Sequence, residues 1–548
     1  MAFGILESGS NPHPPGTVFL ADNSSDAENT EAVISRSLKH GTGANEHIVL
    51  VPQPSNDPND PLNWSICYRD SVVLAIVFCT FTFAGAIGPL LSPIAFQLVM
   101  EYNVSFKKVS LLTGWQLLTV AIVGFFVSPA TRKIGKRPVI IICSLLGLSG
   151  SIWLIFAGSY NSLLGARVLQ AFGVAFYESV GFSMIADMYC VHERGSRIAA
   201  YLFPLGAFNV LCPLLAGVVA QNMGIKWMYR WMAIFAGLAT IVVLFYIPET
   251  AFNRSEIYNI DTSSVNNLGE LAEKQGQESH MVTSDHVESP PTNTIDSSIP
   301  KRSYLYRLRP WSATESFSNA SFISLAIGPL KLFLNPAVLW SCLTQGAVSA
   351  WTVAVSFILS QIFAVPPYNY NPAQVGYLNT GAMIGGLFAE IICVLSNDRL
   401  AKAFARKNGG TYEPEFRLWI IIPMIITGAI GFFGFGNSIA EGHGPIVASM
   451  FYGFITASLI FSHVASSSYM TDAFRNHSIE IFIDVMVFKN LLFFVFSLVV
   501  NDWIAKDGPR KVFNIIGALQ LAIGFLSIPL YLLGKKNRAL MHKWWFMN

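Results

Sequence analysis

Within residues 160–203, a mostly apolar stretch carries Arg167, Gln170 and Glu178, followed by Asp187, Glu193 and Arg194. On a helix, eleven residues at about 100° each bring Arg167 and Glu178 to within about 20° of one face, about 16 Å apart along the axis. An acid on such a stripe can take up and release a proton. A charged side chain near mid-bilayer costs at least about 2.5 kcal/mol, so the stripe must face a cavity or a partner rather than lipid. Glu178 and Arg167 are therefore candidate proton-coupling residues. The alternatives are an interhelical hydrogen bond for Glu178 and an interhelical brace for Arg167.

Asp187 lies nine residues beyond Glu178, on the opposite face and near the end of the apolar run. With Lys136, Arg137, Glu193 and Arg194 it could form a charge cluster that gates one end of the molecule, or it could belong to an ordinary solvated loop. Asp398 with Arg399, and Asp472 with Arg475, are the corresponding groups further along the chain. Single surface ion pairs contribute little, but a network that forms and breaks can bias a two-state equilibrium.

The elements that must hold these residues are membrane helices. Of 548 residues 52% are hydrophobic and 12% charged, against about 25% charged in soluble domains, and the mean hydropathy is +0.47. Blocks long enough to cross a hydrocarbon core, about 20 residues each, recur near 71–95, 109–130, 138–157, 162–186, 198–220 and 228–247. They resume near 337–362, 374–396, 418–436, 444–469, 481–503 and 512–533. The expected fold class is all-α integral membrane, with twelve transmembrane helices in two six-helix pseudo-symmetric halves.

The expected domains are a cytoplasmic tail without a fold (1–66), a first half (67–250), a cytoplasmic central loop without a fold (251–325), a second half (326–535) and a cytoplasmic tail (536–548). Residues 251–325 are polar and rich in Ser, Thr and Asn, unable to bury a core. The N-terminus lacks the basic start and apolar core of a cleavable signal, so the first span is expected to direct insertion. Arg132, Lys133, Lys136 and Arg137, and later Arg399, Lys402, Arg406, Lys407 and Arg417, mark loops expected to be cytoplasmic. Lys226, Arg230, Lys506, Arg510 and Lys511 fall on the other side and weaken that pattern without reversing it.

Other candidates lie in or beside the spans. Gln116, Gln170, Asn209, Gln345, Trp351 and Glu390 could bind substrate, although aromatic packing is the stronger alternative for Trp351. Asp484 shares a face with Glu480 and is expected to pair with Lys489. His463, beside Ser462 and Ser466, is expected to be hydrogen-bonded structure. The seven cysteines have no metal or disulfide spacing, and Cys67 is a weak candidate for acylation. Asn103 begins an Asn-Val-Ser sequon close to the membrane.

Enzyme readings find little to rest on. The chain has no Gly-x4-Gly-Lys-Ser/Thr phosphate loop and no Gly-x-Ser-x-Gly nucleophile turn, and Ser196 stands where a zinc-protease string begun by His192-Glu193 needs its second His. No metal, cofactor or nucleic-acid partner is expected. The sequence repeats its own plan: "SPATRKIGKRP" at 128–138 is answered by "SNDRLAKAFARKNGG" at 396–410, and "MIADMYCVHERGSR" at 184–197 by "YMTDAFRNHSIE" at 469–480. Internal symmetry between halves is a mark of secondary transporters.

The strings "DPNDPLNWS", "KIGKRPV", "RVLQAFG", "HERG", "PETAFNR", "RKNGGTYEPEFRL" and "LGKKNR", in this order over residues 57–540, resemble the major facilitator superfamily. Within it they are similar to the fungal twelve-span drug:proton antiporter branch, close to the polyamine and cation transporters. Two patterns depart from that branch. In the loop after the second block, Ser128 and Arg132 stand for its usual Gly and Asp. In "CPLLAG" at 212–217, Cys212 and Ala216 replace glycines while Pro213 and Gly217 are kept.

The resemblance implies a monomeric transporter of small molecules, driven by a proton gradient and working by alternating access. It would sit in the cell membrane with both termini cytoplasmic, or in the vacuolar membrane. Efflux of drugs, toxins or secondary metabolites is the first expectation. Transport of polyamines or other small organic cations is the alternative, and a non-transporting receptor is a third reading.

Overall fold

The computed structural model describes residues 4–6, 14, 16–19, 54–252, 300–311, 321–408, 411–474 and 477–543. Most of the 251–325 segment lies outside them, as do Arg475 and the side chains of Arg194 and Asp398. The described residues are almost wholly helical, with one two-stranded ladder.

An N-terminal set of helices comprises α1 (Ile66–Thr80), α2 (Ala95–Tyr102), α3 (Phe106–Ile134), α4 (Lys136–Phe156), α5 (Tyr160–Ser179), α6 (Gly181–Met188), α7 (Val191–Met223) and α8 (Ile225–Phe245). Two short helices follow, α9 (Tyr304–Arg307) and α10 (Phe322–Leu332). A C-terminal set comprises α11 (Pro336–Phe363), α12 (Pro372–Tyr377), α13 (Asn379–Lys407), α14 (Ile421–Ala440), α15 (Pro445–Ala473), α16 (Ser478–Ser497), α17 (Val500–Phe525) and α18 (Ser527–Lys543). Among the described residues, ten helical stretches are long and apolar enough to cross a membrane. α7 and α16, of 33 and 20 residues, are not among those ten.

The first stretch, Ile66–Tyr102, is broken where the sequence cannot continue an α-helix. Thr80 leads into a π-helical turn, Phe81–Ala86, and then a 3-10 segment, Pro89–Ile94, with Pro89 at its start and Pro93 inside it. Proline removes an N–H donor and clashes with the preceding turn, so carbonyls near the break need other partners. Between α3 and α4 the chain turns at Gly135, whose φ of 93° favours glycine. Gly508 (φ 77°) beside Pro509 kinks α17 in the gap expected between the blocks at 481–503 and 512–533.

The two sets meet along α3 and α16, where Trp115 and Phe494 have ring centroids 4.9 Å apart. They meet again along α7 and α12. Gly217, the glycine kept in "CPLLAG", lies against the Pro372 carbonyl so closely that a Cβ there would be 2.4 Å from it. Ser356 Oγ donates to Ser92 Oγ at 2.9 Å, and Phe96 N donates to Ser360 Oγ at 3.3 Å, joining α11 to the broken first span.

Parts of the segment expected to be a free N-terminal tail have places in this fold. β1 (Val18–Phe19) pairs antiparallel with β2 (Thr411–Tyr412). Ile5 is fully buried beside Ala401, Ala405, Tyr412 and Phe416. At the other end, α18 runs unbroken across the boundary expected at 535 to Lys543.

Candidate functional site

Glu178, near the end of α5, faces the C-terminal set. Its Oε2 lies 3.3 Å from Lys489 Nζ and accepts from Asn490 Nδ2 at 3.1 Å, both on α16. The Glu178 side chain is 13% exposed and Lys489 26%. This acid and base, 311 positions apart, therefore link the two sets within the apolar part of the molecule. On the C-terminal side, His463 Nε2 lies 2.9 Å from Ser349 Oγ. Gln345, one turn before Ser349 on α11, has a buried Oε1 without a hydrogen-bond partner. Gln116 on α3 is fully buried, and among the described residues neither its oxygen nor its nitrogen has a hydrogen-bond partner.

Arg167 does not join Glu178. Its guanidinium donates to the carbonyls of Ile87 at 2.7 Å and Gly88 at 3.0 Å, and to Thr113 Oγ1 and Gln170 Oε1 at 3.2 Å each. It thus fills the acceptors at the break in the first span. Gln170 passes the network on to Ser151 Oγ.

One end of the bundle is rich in charge. Arg132 NH2 meets Glu480 Oε1 at 2.5 Å, a second ion pair between the two sets, and Phe182 meets Phe482 edge-on nearby in sequence. Within the N-terminal set, Lys136 Nζ pairs with Asp187 Oδ2 at 2.6 Å and donates to Ser183 O. Arg69 reaches Glu193 at 3.7 Å and the Met188 carbonyl at 2.8 Å. Asp70 accepts from Tyr189 and from Arg197, while Arg69 and Arg197 both lie over the Tyr189 ring. Burial, reinforced by Asp70, pushes the Tyr189 hydroxyl pKa above its usual value.

Arg137 caps α8 by donating to the carbonyls of Val243, Leu244 and Ile247, and also reaches Leu308 O. Glu249, just beyond α8, accepts from the backbone N–H groups of Lys136, Arg137 and Ala251. Burial raises its pKa, and those N–H groups oppose the shift.

In the C-terminal set, Arg417 Nε lies 3.0 Å from Asp472 Oδ2, which also accepts from Tyr412. Arg538 makes 2.8 Å contacts with both Glu413 and Glu415, and Lys535 reaches Glu413 at 2.8 Å. Thr17 donates to Glu413, so an N-terminal residue joins this cluster.

The model of the Major Facilitator Superfamily matches residues 73–488. The chain belongs to that superfamily. The facilitator is 28% identical over 550 residues to an uncharacterized MFS-type transporter of Schizosaccharomyces pombe, covering 96% of this chain and 92% of that protein. It is 24% identical to protein HOL1 of Saccharomyces cerevisiae (98% and 97% covered) and 22% identical to MFS antiporter QDR3 of Candida albicans (88% and 80%). The Escherichia coli xylose transporter XylE, in a partially occluded inward-open conformation, superposes with a TM-score of 0.57 at 13% identity. That superposition covers 85% of this chain and 97% of the other, a likeness of fold.

For this facilitator the structure rearranges several sequence expectations. Lys489 pairs with Glu178 rather than Asp484, whose buried Oδ2 has no hydrogen-bond partner. Same-helix spacing suggested the wrong acid because the competing one comes from α5. Arg137, expected in the charge cluster with Lys136 and Asp187, donates to backbone carbonyls at the end of α8. Arg475 was paired with Asp472 in sequence, but the described partners of Asp472 are Arg417 and Tyr412. Trp351 is 7% exposed and packs edge-on against Phe432. Glu390 is half-buried with no ion-pair partner among the described residues, Asn209 is half-buried, and Arg399 is exposed.

Sequence reasoning missed Arg538, Glu413, Glu415 and Glu249 as a charge system, although "LGKKNR", "TYEPEFR" and "PETAFNR" contain them. Pairing "LGKKNR" with "TYEPEFR", and "PETAFNR" with "KIGKRPV", was the available signal. Among the described residues, no group of three or more His, Cys, Asp or Glu could hold a metal. The cysteines are free, and Cys67 is exposed.

Proposed function

We propose that this facilitator is a proton-coupled secondary transporter of twelve spans, α7 and α16 completing the count, whose two six-helix halves rock about a central site. The observation that carries the proposal is the Glu178 contact with Lys489 and Asn490. An acid and a base on opposite sets exchange partners when the sets separate, and protonation of Glu178 weakens its hold on Lys489. Gln116, Gln345 and the Ser349–His463 pair supply polar groups for a substrate. The cargo proposed first is an amphipathic small organic molecule, exported across the cell membrane with both termini in the cytoplasm; the likeness to an antiporter supports this direction. The protein works as a monomer, and the proton gradient is the energy source.

Glu390 favours a second cargo, small organic cations such as polyamines, because it offers a half-buried carboxylate with no ion-pair partner among the described residues. Proteoliposomes with and without an imposed pH gradient test the proposal. Gradient-driven accumulation should occur in wild type and fail in Glu178→Gln, while exchange down a substrate gradient persists. Equal accumulation by both proteins removes Glu178 from coupling. Weakened cation binding in Glu390→Gln alone would select the second cargo.

A further inference from the structure

α16 carries a carboxyl that the coupling step at Glu178 leaves unused. Asp484 is 1% exposed, and its Oδ2 has no hydrogen-bond partner. It stands one turn beyond Glu480, near the same helix face and about 6 Å deeper along the axis. Glu480 gives Oε1 to Arg132 of the N-terminal set, while its Oε2 is buried without a partner. Lys489 lies five residues past Asp484, about 140° away around the helix, and is held by Glu178.

The helices packed against α16 are α3, α5, α10, α11, α15 and α17. Arg132 on α3 is taken by Glu480, Glu178 on α5 by Lys489, and Asp472 on α15 by Arg417 and Tyr412. His463 on α15 is hydrogen-bonded to Ser349, and Asp502 on α17 meets Lys107 at the opposite end. Lys331 belongs to α10, and the buried Cys342 on α11 is close enough to feel the charge of Asp484. Among the described residues, none of these groups hydrogen-bonds or ion-pairs with Asp484. A carboxylate removed from water without a partner is strongly disfavoured, and the neighbouring Glu480 charge adds repulsion.

We propose that Asp484 carries a second proton, held while Arg132 and Glu480 are in contact and released when the two sets part at that end. The inference rests on the reading that the sets rock, and it adds a proton to the one assigned to Glu178. While the contact holds, Asp484 is an uncharged acid beside a neutralised Glu480. Parting the sets takes Arg132 away and admits water. The Asp484 O–H bond then breaks, its electron pair stays on the carboxylate, and the proton passes to water, which solvates both charges. Protonation of Asp484 therefore favours the closed form of this end, and acidification should close it.

The test uses the full chain in lipid nanodiscs, without cargo or gradient. Spin labels on Lys133→Cys and Lys402→Cys, both exposed and one on each set, report the separation of this end by pulsed electron resonance. The exposed Cys67 is replaced by serine, and the other cysteines are buried. With Asp484 intact, the open-to-closed ratio should fall about tenfold per pH unit over part of the range from about pH 8 to 5. Asp484→Asn, neutral throughout, should keep the end closed and remove that dependence, whereas Glu178→Gln should retain it. Infrared spectra of wild type carrying 13C in its aspartate carboxyls should show a protonated aspartate at neutral pH that Asp484→Asn lacks. If Asp484→Asn does not elute as wild type does, the wild-type spectrum decides alone. An unchanged pH dependence in Asp484→Asn, or no protonated aspartate at neutral pH, overturns the proposal. Closure on acidification through Asp484 in a protein that accumulates no cargo against a gradient would remove the proton-driven reading and leave this one standing.

Discussion

The two sets of helices each tie the loop after their second long helix to the C-terminal end of the set, using opposite arrangements of charge. In the N-terminal set the cation is on the loop side: Arg137 caps the carbonyls ending α8, and Glu249 accepts backbone N–H groups. In the C-terminal set the acids are on the loop side, and Arg538 on α18 comes to them. The first junction is built from charge against backbone, the second from charge against charge. Arg538, Glu413 and Glu415 are each no more than 2% exposed. A buried charge depends on its partner far more than an exposed one, so the second junction should be the brittle one.

The largest effect is therefore expected at Arg538. Arg538→Met leaves two buried acids short of their main partner, and loss of one member of a buried pair costs about 3–5 kcal/mol. Folded yield and thermal melting in detergent should fall steeply. Adding Glu413→Gln and Glu415→Gln should recover much of the loss, since both acids then become neutral. A single Arg538→Met that melts like wild type would erase the contrast between the junctions.

Next in size is Arg132–Glu480, one of the ion pairs that cross between the sets. Reversing Arg132 and Glu480 together (Arg132→Glu/Glu480→Arg) preserves a contact with side chains 36% and 14% exposed, whereas either reversal alone opposes like charges. Each single reversal should shift the balance of open and closed states, measured by solvent labelling of single cysteines placed near Phe182, and the double should restore it. Parallel behaviour of singles and double would make this pair irrelevant to gating. Lys136→Ala should do less, because Asp187 is 25% exposed and keeps access to water once its partner is gone, unlike the buried acids that face Arg538. A melting shift as large as that of Arg538→Met would contradict the exposure argument.

Much of this was legible in the sequence, for a physical reason. Hydrophobic length fixes where helices run, so the kink at Gly508 falls in the gap expected between the last two blocks. Partners are harder to read, because a side chain's near neighbours in sequence compete with residues hundreds of positions away. Lys489 looked like the neighbour of Asp484 on its own helix, yet α5 brings Glu178 to it. Arg132 looked like a mere departure from the superfamily's Asp until Glu480 supplied its use. Nor does the sequence show that Arg167 fills the carbonyls opened at the break by Pro89 and Pro93.

The smallest predicted effect tests the N-terminal junction through pH. Burial raises the Glu249 pKa above its ordinary 4.5. A carboxyl whose folded pKa is raised contributes stability below its unfolded pKa, and that contribution is lost as the pH climbs through the folded value. At neutral pH the Glu249 charge therefore costs stability, despite its three N–H donors. Glu249→Gln, neutral at every pH, should melt at or slightly above wild type at pH 7. Its advantage should shrink as the pH falls toward the ordinary carboxyl range, where wild type becomes neutral too. The difference between the two proteins, measured from pH 7 down to about 4.5, cancels titrations elsewhere. The opposite trend, with Glu249→Gln less stable at pH 7 and recovering on acidification, would mean that the N–H groups outweigh burial. The N-terminal junction would then depend on a charge as strongly as the C-terminal one does.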